Sequence, residues 1–217
     1  MELNHIETRI LGCLIEKELT TPEYYPLSLN ALTNACNQKS NRDPVLTLAE
    51  EDVVRGLDSL RFKQLVVLSA DGGRVPKYRH LLAEKQGLMP AELAIIGELL
   101  LRGPQTVGEL RTRGERMHPF GNLAAVEEVL QELSRRENPL VTLLPRQSGR
   151  KEGRYAQLFS GLPECADESS EARPEAARQR VAAENERIAR LEEEVTSLRG
   201  EVATLQQMMT EFRVQFE

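Results

Sequence analysis

The sequence predicts a mainly α chain with small β wings (α+β): two tandem winged-helix domains over 1–85 and 86–161, an acidic flexible linker over 162–173, and a coiled-coil helix over 174–217. Three observations predict it. A helix–turn–helix–helix–hairpin pattern occurs twice in the first 161 residues. The two copies stay nearly in register. A strict heptad pattern occupies the C-terminal end.

Each copy opens on a helical apolar stripe, Ile6, Ile10, Cys13 and Leu14 in the first and Leu93, Ile96, Leu99 and Leu100 in the second. A proline-containing turn follows, "YYPLSLNAL" or "RGPQTVGEL". Ser28 is placed to cap the second helix of copy one, and Thr106 with Glu109 forms a capping box in copy two. The third helix of copy one is expected to start at a box Thr47…Glu50 and carries the apolar set Val53, Val54, Leu57 and Leu60. Its counterpart carries Val126, Val129, Leu130 and Leu133. Both third helices run into β-rich pieces, "QLVVLSA" and "PLVTLLP". Each copy then closes on a Gly-containing basic hairpin, "DGGRVPKYRH" or "RQSGRKEGRYAQLF". Pro26 matches Pro104, Leu57 matches Leu130, Val66 matches Val141 and Tyr78 matches Tyr155, at offsets of 78, 73, 75 and 77.

The heptads place Val181, Ile188, Val195, Val202, Met209 and Phe216 at position a. Position d holds Glu184, Leu191, Leu198, Leu205 and Phe212. β-Branched residues at a with Leu at d favour two parallel strands. The expected dimer seam is Ile188, Leu191, Val195, Leu198, Val202, Leu205, Met209 and Phe212, a parallel homodimer through 181–217. A lone helix packed on its own domains would show a broader apolar face.

Residues 1–161 hold 21 basic and 21 acidic groups, against 7 and 13 in 162–217, so the whole net charge of −6 sits in the C-terminal quarter. The acidic balance of the full chain therefore says nothing against a nucleic-acid partner for the front. No membrane association is expected from apolar runs as short as "LAIIGELLL". Cys13, Cys36 and Cys165 are too widely spaced for a disulfide framework or a metal pattern. With no secretory signal at "MELNHIETRI", the reading is a cytoplasmic protein. His5, His80 and His118 are scattered and no glycine loop cradles a phosphate, so neither an enzyme nor a cofactor is expected.

The run "LGCLIEKELTTPEYYPLSLNALTNACNQKSNRDPV" resembles the signature of the bacterial YceH-type family, as do "LLLRGPQTVGELRTR" and "RYAQLFSG". The resemblance covers about residues 3 to 162. It implies a tandem winged-helix fold and carries no activity or ligand residues with it.

The candidate binding residues lie in an amide-rich loop and in the two hairpins. In the loop, Asn37, Gln38 and Asn41 have the chemistry to pair with adenine, and Lys39 and Arg42 to reach guanine or phosphate. Loop shaping by Asn37, Ser40 and Asn41 is the structural alternative for the amides. Replacing Lys39 and Arg42 together is expected to spare the fold, whereas replacing Asn37 is expected to destabilise it. Arg74, Lys77 and Arg79 on the first hairpin, with Arg146, Arg150, Lys151 and Arg154 on the second, are phosphate-contact candidates. Against these stand Glu50, Glu51 and Asp52 on the third helix, where a groove-reading helix would meet phosphates. The leading expectation is a DNA-binding dimer. The competing one is a scaffold whose winged helices bind a protein partner.

Overall fold

The computed structural model describes residues 2–69, 75–146 and 152–162, and in it the chain is a mixed α+β protein of helices and small antiparallel sheets. α1 (His5–Thr20) starts at Asn4, whose Oδ1 accepts the N–H groups of Ile6 and Glu7, while Glu7 Oε2 accepts the Asn4 N–H at 2.8 Å. Three N–H groups at the start of the helix are thereby satisfied, Asn4 and Glu7 capping each other reciprocally. β1 (Leu27–Ser28) leads into α2 (Leu29–Cys36), which Ser28 caps by accepting the Ala31 N–H at 3.3 Å.

α3 (Glu50–Phe62) corrects one expectation. Its N-cap is Ala49, and Asp52 Oδ2 accepts the Ala49 N–H at 3.4 Å, so the box is not Thr47…Glu50. Thr47 stands outside the helix because the loop before it is held elsewhere, as shown below. β2 (Val66–Leu68) and β3 (Lys77–His80) pair with Val66 opposite His80, and β1 adds to the far edge with Leu27 opposite Tyr78. A short α4 (Leu82–Gln86) ends at Gly87, whose positive φ of 59° closes the helix.

The second half repeats the order. α5 (Pro90–Arg102) is followed by α6 (Val107–Gly114), where Thr106 and Glu109 form the expected capping box. α7 (Leu123–Arg135) then leads to β4 (Val141–Leu143) and β5 (Tyr155–Gln157). Gln105, the residue after Pro104, bridges to Tyr155 just as Leu27, the residue after Pro26, pairs with Tyr78. The second half thus places a single bridge where the first has a third strand, at the matching sequence position.

The halves lie within one compact unit and share a core. α1 packs along α5, burying Ile10, Leu11, Leu14 and Ile15 with Ile95, Ile96, Leu99 and Leu101 at 0–1% exposure. The two sequence repeats therefore meet in a single hydrophobic interior, and residue 85 falls inside α4. The acidic segment beyond Leu162 and the helix expected over 174–217, with all eight expected seam residues, lie outside the described residues.

Candidate functional site

Loop 37–49 joins α2 to α3, and polar struts from four directions hold it. Asn37 Nδ2 donates to the Leu48 carbonyl at 2.9 Å and its Oδ1 accepts the Leu48 N–H at 2.7 Å, stapling the two ends of the loop. Arg9 reaches from α1 to the carbonyls of Cys36 and Pro44. The Asp43 N–H donates to the Leu101 carbonyl at the end of α5. Asn41 Nδ2 donates to Glu98 Oε1 at 2.9 Å and to Glu16 Oε1 at 3.2 Å.

Arg42 is the centre of this arrangement. Its side chain is fully buried. Nη1 and Nη2 fork onto the two oxygens of Glu16 at 3.1 and 2.6 Å, Nε and Nη2 donate to the Ala35 carbonyl, Nη1 to the Asn41 carbonyl and Nη2 to Gln38. Such bidentate pairing uses the guanidinium's fixed fork, and every N–H direction is occupied. The expectation that Arg42 is a contact cation is therefore corrected. A buried guanidinium with a full set of partners cannot reach a phosphate, and its replacement would not spare the fold.

The Glu16 carboxyl feels burial first, which works to raise it. The hydrogen bond and charge of Arg42 outweigh that and hold it below the usual carboxylate range. Glu16, Glu98 and Arg9, absent from the sequence-based candidates, are thus the groups that hold the loop. A signal for two of them existed: Glu16 stands three residues after Cys13 on the apolar side of α1, and Glu98 interrupts "LAIIGELLL". Charges placed among core positions need partners.

Of the remaining candidates, Gln38 accepts from Arg42 and Lys17, and Asn41 lies within the joint between the halves. Arg79 is paired with Glu84 at 2.7 Å, and Arg154 is held by the Pro104 carbonyl and Glu109. Lys39, Lys77 and Arg146 are exposed, with no ion pair among the described residues. Arg74, Arg150 and Lys151 lie outside the described residues.

The outer faces of the two third helices are the other surface of interest. α7 buries Val126, Leu130 and Leu133 and turns Glu127, Glu128, Gln131 and Glu132 outward, beside Leu123 at 47% exposure. α3 exposes Glu50, Glu51, Val54 and Phe62, the last at 91%. Its two arginines are neutralised within the helix, Arg55 by Asp52 and Arg61 by Asp58. Both faces combine acidic and apolar groups.

Residues 3–150 match a family model described as "Protein of unknown function, DUF480". The chain belongs to this family. A "UPF0502 protein" of Geotalea uraniireducens (strain Rf4) is 71% identical over 217 residues, which span 100% of this chain and 99% of that one. The "UPF0502 protein GSU0233" of Geobacter sulfurreducens is 65% identical over 215 residues, 99% and 98% of the two chains. In this DUF480 chain the run "ACNQKSNR" supports the joint between the two repeats: Asn41 reaches Glu98 across it, while Asn37 and Arg42 hold the loop to Leu48 and Glu16.

The staple at Asn37 is directly testable. Asn37→Ala removes both bonds to Leu48 and leaves its backbone groups without these partners. A loss of about 1–3 kcal/mol is expected in urea unfolding, against a few tenths for Ser40→Ala at the exposed loop tip.

No helix among the described residues is long and apolar enough to cross a membrane.

Proposed function

We propose that this chain is a non-enzymatic, protein-binding module: two tandem winged helices that share a core, joined as a parallel dimer by the C-terminal heptads. The helix–helix–helix–hairpin order in both halves supports the winged-helix reading. The observation that carries the choice of partner is the outward face of α7, where Glu127, Glu128 and Glu132 would point at the phosphates of a docked duplex. That geometry repels nucleic acid in the usual winged-helix orientation, and it places no penalty on a protein surface. Loss of Arg42 from the contact set, and engagement of Asn37 with Leu48, of Gln38 with Arg42 and Lys17 and of Asn41 with Glu16 and Glu98, remove most of the base-reading chemistry expected of the loop.

DNA binding is the second reading, and the exposed Lys39, Lys77 and Arg146 favour it. Capture from a native lysate treated with nuclease separates the two. The protein reading expects a partner that survives nuclease and is lost with Glu127→Lys/Glu128→Lys. Salt-dependent binding of a random duplex at micromolar protein, strengthened by the same reversal, overturns it in favour of DNA. Sedimentation velocity tests the dimer. Removing residues 174–217 is expected to convert a dimer to a monomer, and a full-length monomer at tens of micromolar would overturn that part of the proposal.

A further inference from the structure

Two acidic side chains meet inside the joint, and they are not equivalent. Glu16 on α1 receives the fork of Arg42 and lies 3.4 Å from Lys17. Glu98 on α5 is completely buried. Its Oε1 accepts from Asn41 Nδ2, the same amide nitrogen that donates to Glu16, while its buried Oε2 has no hydrogen-bond partner among the described residues. One amide thus stands between two carboxyl groups that come from opposite halves of the molecule.

The charged groups around Glu98 are few. From α1 it faces Glu16, with Lys17 beyond. The loop presents Asn41 and Arg42, the latter already bound to Glu16. On its own helix, Arg102 lies one turn on, yet its Nη1 is directed at Asn41 Oδ1 at 3.4 Å. From α6, Arg113 is held by Gln105 and by Glu109, and Glu109 also engages Arg154. No cation forms an ion pair with Glu98 among the described residues.

We propose that Glu98 is the proton-binding group of the joint between the two repeats: the joint is tight while Glu98 holds a proton and loosens when the proton leaves. Ionisation would place a second negative charge beside Glu16 in a water-poor seam, bridged only by one neutral amide. Burial raises the Glu98 carboxyl above its ordinary value and the Glu16 charge adds to this, opposed by the Asn41 hydrogen bond and the charges of Arg102 and Arg113.

The direction of the pH effect follows. A raised folded-state value means that the Glu98 contribution is complete below the ordinary carboxylate range and is lost as pH rises through the folded value. Glu16 acts oppositely. Its depressed value gives stability that is present above the ordinary range and lost as pH falls. The two acids therefore work in opposite directions: Glu16 contributes above the ordinary carboxylate range and Glu98 below its own raised value.

Glu98→Gln replaces the acid by a neutral isostere that cannot ionise. Thermal unfolding of the full chain from about pH 5 to about pH 9 should show the variant gaining on the wild type as pH rises, with the difference vanishing towards the acid end. A difference that does not change with pH overturns the proposal. Two measurements on the wild type keep it testable should the variant fold poorly. With 13C-labelled glutamate, one side-chain carboxyl should titrate above all others, and a set of glutamates that all titrate in the ordinary range overturns the assignment. Protection of the Asp43 amide, which donates to the Leu101 carbonyl across the same joint, should fall several-fold beyond the intrinsic pH dependence as that carboxyl ionises. Unchanged protection would show that Glu98 titrates without loosening the joint, and that too overturns the proposal.

Discussion

Arg42→Ala is expected to lower the unfolding free energy by about 3–5 kcal/mol, the range for removing one partner of a buried ion pair. The loss has two sources. Among the described residues Glu16, with 8% of its side chain exposed, keeps only Lys17 at 3.4 Å and the Asn41 amide. The Ala35 carbonyl, in the last turn of α2, loses both bonds that the guanidinium gives it. Against a total stability of about 5–15 kcal/mol for an ordinary domain, the variant sits close to unfolding at room temperature. Arg42→Lys should recover little, since an ammonium cannot reproduce the planar fork. The double change Glu16→Leu/Arg42→Met should be milder than Arg42→Ala, because it removes both charges and keeps the volume. Urea unfolding of the three variants decides it. An Arg42→Ala protein within about 0.5 kcal/mol of wild type would mean that the buried pair does not form.

That result bears on what the sequence could disclose. The repeat was legible because its signals are local: apolar spacing within one helix, Ser28 capping α2, the Thr106–Glu109 box, and the match of Tyr78 with Tyr155 in the closing strands. The role of "NQKSNR" was not, because its partners lie far away in sequence. Arg42 meets Glu16 across 26 residues, and Asn41 meets Glu98 across 57. Charge and amide density in a loop reads as surface until the opposing carboxylates are found, and those were hidden within apolar helices. The Thr47…Glu50 box failed for a related reason. The Asn37 staple to Leu48 fixes the chain in an extended path past Thr47, so α3 begins after Ala49, and of its three first-turn acids Asp52 accepts the Ala49 N–H.

The second large effect is expected at the seam of α1 and α5, where each helix offers a glycine to the other. A Cβ on Gly12 would stand 3.0 Å from Cγ and Cδ2 of Leu101 and 3.1 Å from Leu100 Cβ, and one on Gly97 would stand 2.9 Å from Ile15 Cγ2. At an exposed helix position, Gly→Ala stabilises by about 0.5–1 kcal/mol through propensity alone. Here close approach of the helices opposes that gain, so Gly12→Ala should come out neutral to destabilising. Gly12→Val adds two further carbons against Leu100 and Leu101, which are packed on all sides. A cost near the upper end of about 1–3 kcal/mol is expected, read from the urea midpoint at unchanged slope. Gly12 lies one turn before Glu16, so the wedge should also strain the bond from the Asp43 amide to Leu101 and speed its hydrogen exchange. Stabilisation of about 1 kcal/mol in Gly12→Ala, the value for a solvent-facing helix, would show that the two repeats do not approach this closely.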